Sequence, residues 1–214
     1  MTQRQCLAIF LAAAIAACTP GLAQGDAPDA TGDLATAEDI GASDELGSTG
    51  LIADALHGAA IALDAEPGPQ SALELAGAAR KLERLSARPL DEDGQDLVAG
   101  LRNEAMTRDP ALKLAPLRGR AIGPGYRQTG LAAGDSDRLE QIFLAGERAK
   151  LALSPMGNAR LRLKVTDADG KTVCRLTISE KRAGCAWTPL FTTRHTITVE
   201  NISANRAKFF LVVD

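Results

Sequence analysis

The chain has 214 residues, 45% of them hydrophobic and 24% charged, with only five Phe, one Tyr and one Trp. Its formal net charge is -3, and the length suits one domain or two small ones. No apolar run after Ala17 approaches the about 20 residues that a spanning helix needs, so a membrane-spanning helix downstream of the start is excluded.

The first residues, MTQRQCLAIFLAAAIAACTPGLAQG, combine Arg4 with an unbroken apolar run from Cys6 to Ala17. This is the layout of a secretory leader, and Gly21-Leu22-Ala23 supplies a small-residue cleavage site, making 1-23 a signal peptide. Ile15-Ala16-Ala17-Cys18 also resembles a lipoprotein box, in which Cys18 is lipidated and the chain is tethered to a membrane. Both readings predict export, periplasmic or extracellular. Membrane attachment follows only from lipidation at Cys18. Both leave Cys174 and Cys185 as the only cysteines of the folded part.

The next stretch, 24-43, is Ala, Asp, Gly, Thr and Pro with almost no large apolar side chains, which predicts disorder. Residues 44-109 then carry helical periodicity. Leu51, Ile52, Ala55, Leu56, Ala59, Ala60 and Leu63 form one stripe. Ser71-x-x-Glu74 reads as a capping box ahead of Leu73, Leu75, Ala76, Ala79, Leu82 and Leu85. Asp91, Glu92 and Asp93 precede a third stripe of Leu97, Val98, Leu101 and Met106, where a helix dipole favours acids. The expectation is a helical hairpin or three-helix unit. Its alanine-rich stripes bury little area, so it should pack on something else.

Charge divides sharply along the chain. Gln24 to Asp109 holds 18 acidic and 6 basic residues, and Pro110 to Asp214 holds 9 acidic and 17 basic. Residues 110-127, including "RGRAIGPGYR", read as a basic linker. In an exported chain this does not point to nucleic acid.

From there the period shortens. "RLEQIFLAG", "RAKLALS", "ARLRLKVTDADG", "KTVCRLTIS", "HTITVEN" and "KFFLVVD" are short runs, several of them alternating and separated by turn residues, which predicts an antiparallel sandwich or barrel. In Arg160 to Val165, Leu161, Leu163 and Val165 should point inward and Arg160, Arg162 and Lys164 outward. Cys174 shares inward parity with Leu176 and Ile178, and Cys185 shares parity with Trp187. Ten residues separate the two cysteines, without the short knuckle of a zinc site. In an oxidising compartment they are expected to form a disulfide, with free or metal-binding thiols as the alternative.

Four pieces in order, "FLAGERAKLAL", "LRLKVTDADGKTVC", "CAWTP" and "TITVENISANRAKFFLVV", resemble the bacterial pre-peptidase C-terminal (PPC) domain family. The resemblance covers 128-214 and implies a secreted, jelly-roll-like β-sandwich that serves as an accessory or binding module and is not itself catalytic. The whole chain then reads as α+β in two parts, helices followed by sandwich. Some family members bind calcium through acids alternating along the strand before the turn. Here those positions hold Arg160, Arg162 and Lys164. Only Asp167 and Asp169 remain, with Asp135 and Asp137 in an earlier loop, too few for a cation that takes six to eight oxygens.

Catalytic patterns are sparse. The only histidines, His57 and His195, have no evident Ser, Cys or acid partner in the sequence, and no Gly-rich phosphate loop follows a strand. A carboxylate pair for glycoside hydrolysis is the remaining enzymatic reading. No cofactor or metal is expected. The leading expectation is a non-catalytic envelope module that binds another protein or an anionic envelope polymer. Its basic face would comprise Arg148, Lys150, Arg160, Arg162 and Lys164 on one sheet surface, open either to an anionic ligand or to docking of the chain's own acidic helices. The alternative is an accessory subunit of a separately encoded secreted peptidase or hydrolase.

Overall fold

The computed structural model describes residues 45–115, 123–179 and 182–214. The leader, Cys18 and the 24-43 stretch lie outside the described residues. Among the described residues there are three helices: α1 (Gly47–Asp64), α2 (Pro69–Arg84) and α3 (Leu97–Arg108).

The helix starts differ from the sequence reading. Ser71 is not the N-cap of α2. The helix begins at Pro69, and the Ser71 hydroxyl reaches back to accept the Gly68 N–H at 3.2 Å, while Glu74 instead accepts from Gln70 at 2.9 Å. Proline at the first helical position costs no hydrogen bond, which lets the helix start earlier. The Asp91–Asp93 acids precede α3 by several residues. Its cap is Asp96, whose carboxylate accepts from the N–H groups of Val98 (3.1 Å) and Ala99 (3.4 Å).

Nine strands follow or interleave: β1 (Arg88–Pro89), β2 (Gly125–Leu131), β3 (Ser136–Phe143), β4 (Ala149–Met156), β5 (Leu161–Thr166), β6 (Thr172–Ile178), β7 (Ala183–Trp187), β8 (Thr193–Asn201) and β9 (Ala207–Val213). They form a five-stranded sheet in the order β1-β2-β9-β4-β7 and a four-stranded sheet in the order β3-β8-β5-β6. Every pairing is antiparallel except β1 with β2. The fold is therefore helices plus a β-sandwich. Strand β2 starts inside the stretch read as linker, because Tyr126 is a core residue and not a linker residue.

The layers stack as helices, five-stranded sheet, four-stranded sheet. Leu151 and Leu153 of β4, Leu161, Leu163 and Val165 of β5, and Phe209, Leu211 and Val213 of β9 fill the space between the sheets. On the other side of the five-stranded sheet, Tyr126, Ala152, Phe210 and Val212 meet Ile52, Leu56, Leu75, Leu82 and Val98. Each such large side chain contributes about 1.5–3 kcal/mol on burial. Strand β9 is covered on both faces, which is why Phe209 to Val213 is apolar without alternation.

The helices thus find the partner their small stripes require, with some rotation from expectation. Leu51, Leu63, Leu73 and Met106 are exposed, while Ala53, Ala62 and Ala105 are buried. Helix α1 buries one side against the sheet and another against α2, and alanine permits the close approach. Its C-terminus is closed from a distance: Arg108 donates to the carbonyls of Ala62 (2.7 Å) and Leu63 (2.8 Å), satisfying groups the helix leaves open. The lone Tyr126 ties α3 to β2, its hydroxyl accepting the Leu97 N–H at 3.0 Å.

Candidate binding surface

Cys174 and Cys185 form a disulfide, with Cα atoms 6.3 Å apart. Cys174 lies on β6, an edge of the four-stranded sheet, and Cys185 on β7, an edge of the five-stranded sheet. The bond therefore joins the two sheets at the corner where the chain crosses between them. Beside it, Trp187 packs edge-on against Phe143 at 4.9 Å and tilted against His195 at 5.6 Å.

His195 is 2% exposed, with Nδ1 3.3 Å from the Thr193 carbonyl. His57 is half-buried on α1, and its Nδ1 has no hydrogen-bond partner. Among the described residues neither ring hydrogen-bonds to a hydroxyl, thiol or carboxylate. No group of three or more His, Cys, Asp or Glu is gathered as metal ligands among the described residues. The Asp167 carboxylate instead accepts from the N–H groups of Asp169 (3.1 Å) and Lys171 (2.9 Å), organising the β5–β6 turn. Asp137 is paired with Arg127 at 3.3 Å.

The five basic residues expected on one surface are divided. Lys150 lies on the five-stranded sheet, facing the helices from beside Ala152. It sits 3.9 Å from the Asp214 carboxylate. Arg148 precedes β4 and pairs with Glu45 at 3.0 Å. Arg162 and Lys164 are on β5 in the opposite sheet, and Arg160 is exposed just before it. Parity along each strand was legible, but β4 and β5 belong to different sheets, so their outward residues point in opposite directions.

The outer face of the four-stranded sheet carries a different constellation. The registers place Arg138, Thr198, Lys164 and Arg175 in one row across β3, β8, β5 and β6. One neighbouring row runs Ser136, Glu200, Arg162 and Thr177. The other runs Glu140, Thr196, Thr166 and Thr172. Arg162 is paired with Glu200 at 2.8 Å, and Arg194 with Glu140 at 2.8 Å. Arg138, Lys164 and Arg175 have no ion pair among the described residues, and Arg138 and Arg175 are exposed. Strands lie about 5 Å apart in the hydrogen-bonding direction, so the three free cations span roughly 14 Å. Neither Arg138 nor Arg175 stands out in the sequence, because each is a lone cation in its strand. Only the order β3-β8-β5-β6 brings them beside Lys164.

No helix among the described residues is long and apolar enough to cross a membrane. No protein-family model matches the chain, and no curated protein matches it in sequence. Solved structures resemble part of the chain, among them these three. The pre-peptidase C-terminal domain of a Bacillus anthracis collagenase is 8% identical, over 42% of this chain and 87% of its own, at a TM-score of 0.38. The Yersinia pseudotuberculosis-derived mitogen is 12% identical, over 42% and 84%, at 0.37. PliG of Aeromonas hydrophila, a periplasmic inhibitor of g-type lysozyme, is 11% identical, over 42% and 84%, at 0.34. At these scores the likenesses carry no conclusion about function. What this chain does must be read from its own surface.

Proposed function

We propose that the protein is an exported, non-catalytic interaction module of the cell envelope, and that it recognises its partner through the outer face of the four-stranded sheet. The observation that carries this reading is the asymmetry of the sandwich. One sheet has its outer face packed against α1, with α2 and α3 joined to the same core. The other presents a broad polar face of threonines and charged residues, on which Glu140 and Glu200 are paired with Arg194 and Arg162 and three further cations lack a counter-ion among the described residues. Unpaired cations gathered on an open surface steer anionic partners toward it. The disulfide agrees with export, since such bonds persist in oxidising compartments, as does the leader-like start.

The test is site-specific photo-crosslinking of the full chain in its own envelope, with the cross-linker at Thr198 on the open face or at Leu73 on the exposed side of α2. Capture at Thr198 that is absent at Leu73 and falls at high salt is the expected result. Equal capture at both positions, or none at Thr198, would sink the reading.

A further inference from the structure

We propose that the ligand of this face is an acidic polysaccharide, laid across the strands along the row Arg138–Thr198–Lys164–Arg175. The proposal rests on the open sheet being the recognition surface and specifies what that surface holds. Three observations lead to it. The row is straight and crosses all four strands in register, so it offers an extended track and not a pocket. Its three cations are free of ion pairs among the described residues, so a ligand carboxylate meets no internal competitor there. Hydroxyls from Thr198 within the row and from Thr196 and Thr166 beside it can both donate and accept. That suits a polyhydroxylated chain bearing spaced negative charges. The outward positions of these strands include no aromatic side chain, so the stacking platform that single-stranded nucleic acid uses is missing.

The cations are spaced unevenly. Lys164 and Arg175 are neighbours, and Arg138 stands two strands from Lys164, with Thr198 between them. A polymer with an acid on every sugar satisfies both intervals, whereas one with an acid on alternate sugars matches only the wider, and a single small anion reaches only the Lys164–Arg175 pair. Binding should therefore strengthen with oligosaccharide length until the row is spanned, and then level off.

The experiment measures binding of fluorescent oligogalacturonates of increasing length to the full chain. Neutral dextran oligosaccharide, inorganic polyphosphate and single-stranded DNA serve as comparison probes. The triple variant Arg138→Ala, Lys164→Ala, Arg175→Ala should lose roughly 30- to 100-fold in affinity at low salt. The wild type should show a log–log salt slope of about -2 to -3. A control triple, Lys113→Ala, Arg206→Ala, Lys208→Ala, removes the same charge from exposed positions elsewhere and should lose less than about threefold by screening over that separation. Unchanged melting of both triples establishes that they are folded. Equal losses in the two triples would reduce the effect to net charge and overturn the row. Absence of oligogalacturonate binding, or tighter row-dependent binding of polyphosphate or DNA, would overturn the polysaccharide. Cross-linking at Thr198 that persists in either case would leave the face as the recognition surface while removing this ligand from it.

Discussion

Leu46 lies directly over Gly184. A methyl carbon placed on Gly184 would stand 2.9 Å from Leu46 Cδ1 and would also collide with the carbonyl oxygen of Leu151. The residue that opens the helical layer thus rests on a strand position without a side chain, one residue before a disulfide cysteine. The absence of a Cβ there sets how closely the helices approach β7. Gly184→Ala is expected to destabilise the fold by about 2–3 kcal/mol through overpacking, measured by urea unfolding. Adding Leu46→Ala should recover part of that loss, giving a coupling energy of at least about 0.5 kcal/mol. Strictly additive effects would show that the two do not meet.

The disulfide offers a second test. Cys174 and Cys185 are 11 residues apart in sequence, and a loop of that size corresponds to about 3 kcal/mol in the chain-entropy description. Replacing both with serine, or unfolding under reductant, should lower stability by about that amount. Far-ultraviolet circular dichroism should stay unchanged below the transition. A loss under about 1 kcal/mol would mean that the corner is held by the packing of Trp187 and Phe143 alone.

Asn201 is buried, and both ends of its side-chain amide are engaged across a turn. Its amide donates to the carbonyls of Leu131 (3.2 Å), Ala132 (2.9 Å) and Asn205 (2.8 Å), and its oxygen accepts the Ser203 N–H at 2.9 Å. Asn201→Leu leaves several buried partners unmatched and should cost about 2–4 kcal/mol, more than a volume change alone would predict. Asn201→Asp, which removes the donors but keeps the shape, should be no better tolerated. Chemical denaturation of the two variants side by side checks this.

Ser86 adopts a left-handed conformation, φ 54°, where α2 ends. Its N–H donates to Glu83 and that of Ala87 to Leu82, so Ser86 occupies the position that glycine usually takes after a helix. Ser86→Gly should raise stability by about 0.5–1 kcal/mol by relieving the strain of a β-carbon there. Ser86→Val should lower it by more. A calorimetric midpoint that moves the other way for glycine would contradict this.

An exposed ion pair should matter little to the fold. Arg162 and Glu200 are 2.8 Å apart, with side chains 47% and 38% exposed. Pairs so open to water contribute about 0–1 kcal/mol. Arg162→Ala is expected to leave the unfolding midpoint nearly unchanged, as thermal denaturation followed by circular dichroism would check.

Elements were more legible in the sequence than their partners were. Period-two alternation in Arg160 to Val165 identified the inward leucines correctly, because parity is a property of one strand alone. The inward parity of Cys174 likewise pointed to the bond that forms. What one strand could not reveal was its neighbours. Lys150 and Arg162 have equally clear parity but lie on different sheets, and Arg138 joins Lys164 only through β8. The rotation of α1 was hidden for a similar reason. A helix packed on two sides buries alanines as readily as leucines, so Leu51 and Leu63 were read as core while Ala53 and Ala62 took that place. A covered sheet did leave a trace, in the unbroken apolar run from Phe209 to Val213, which alternation would have interrupted had one face of β9 met water.

The helical layer also sets the valency of the molecule. With one sheet covered by the helical layer, the sandwich offers a single broad sheet face among the described residues. On the binding proposed above, a monomer would hold one strand of a polymer without bridging two, so adding it in excess should leave a polysaccharide solution without the rise in viscosity that a network gives.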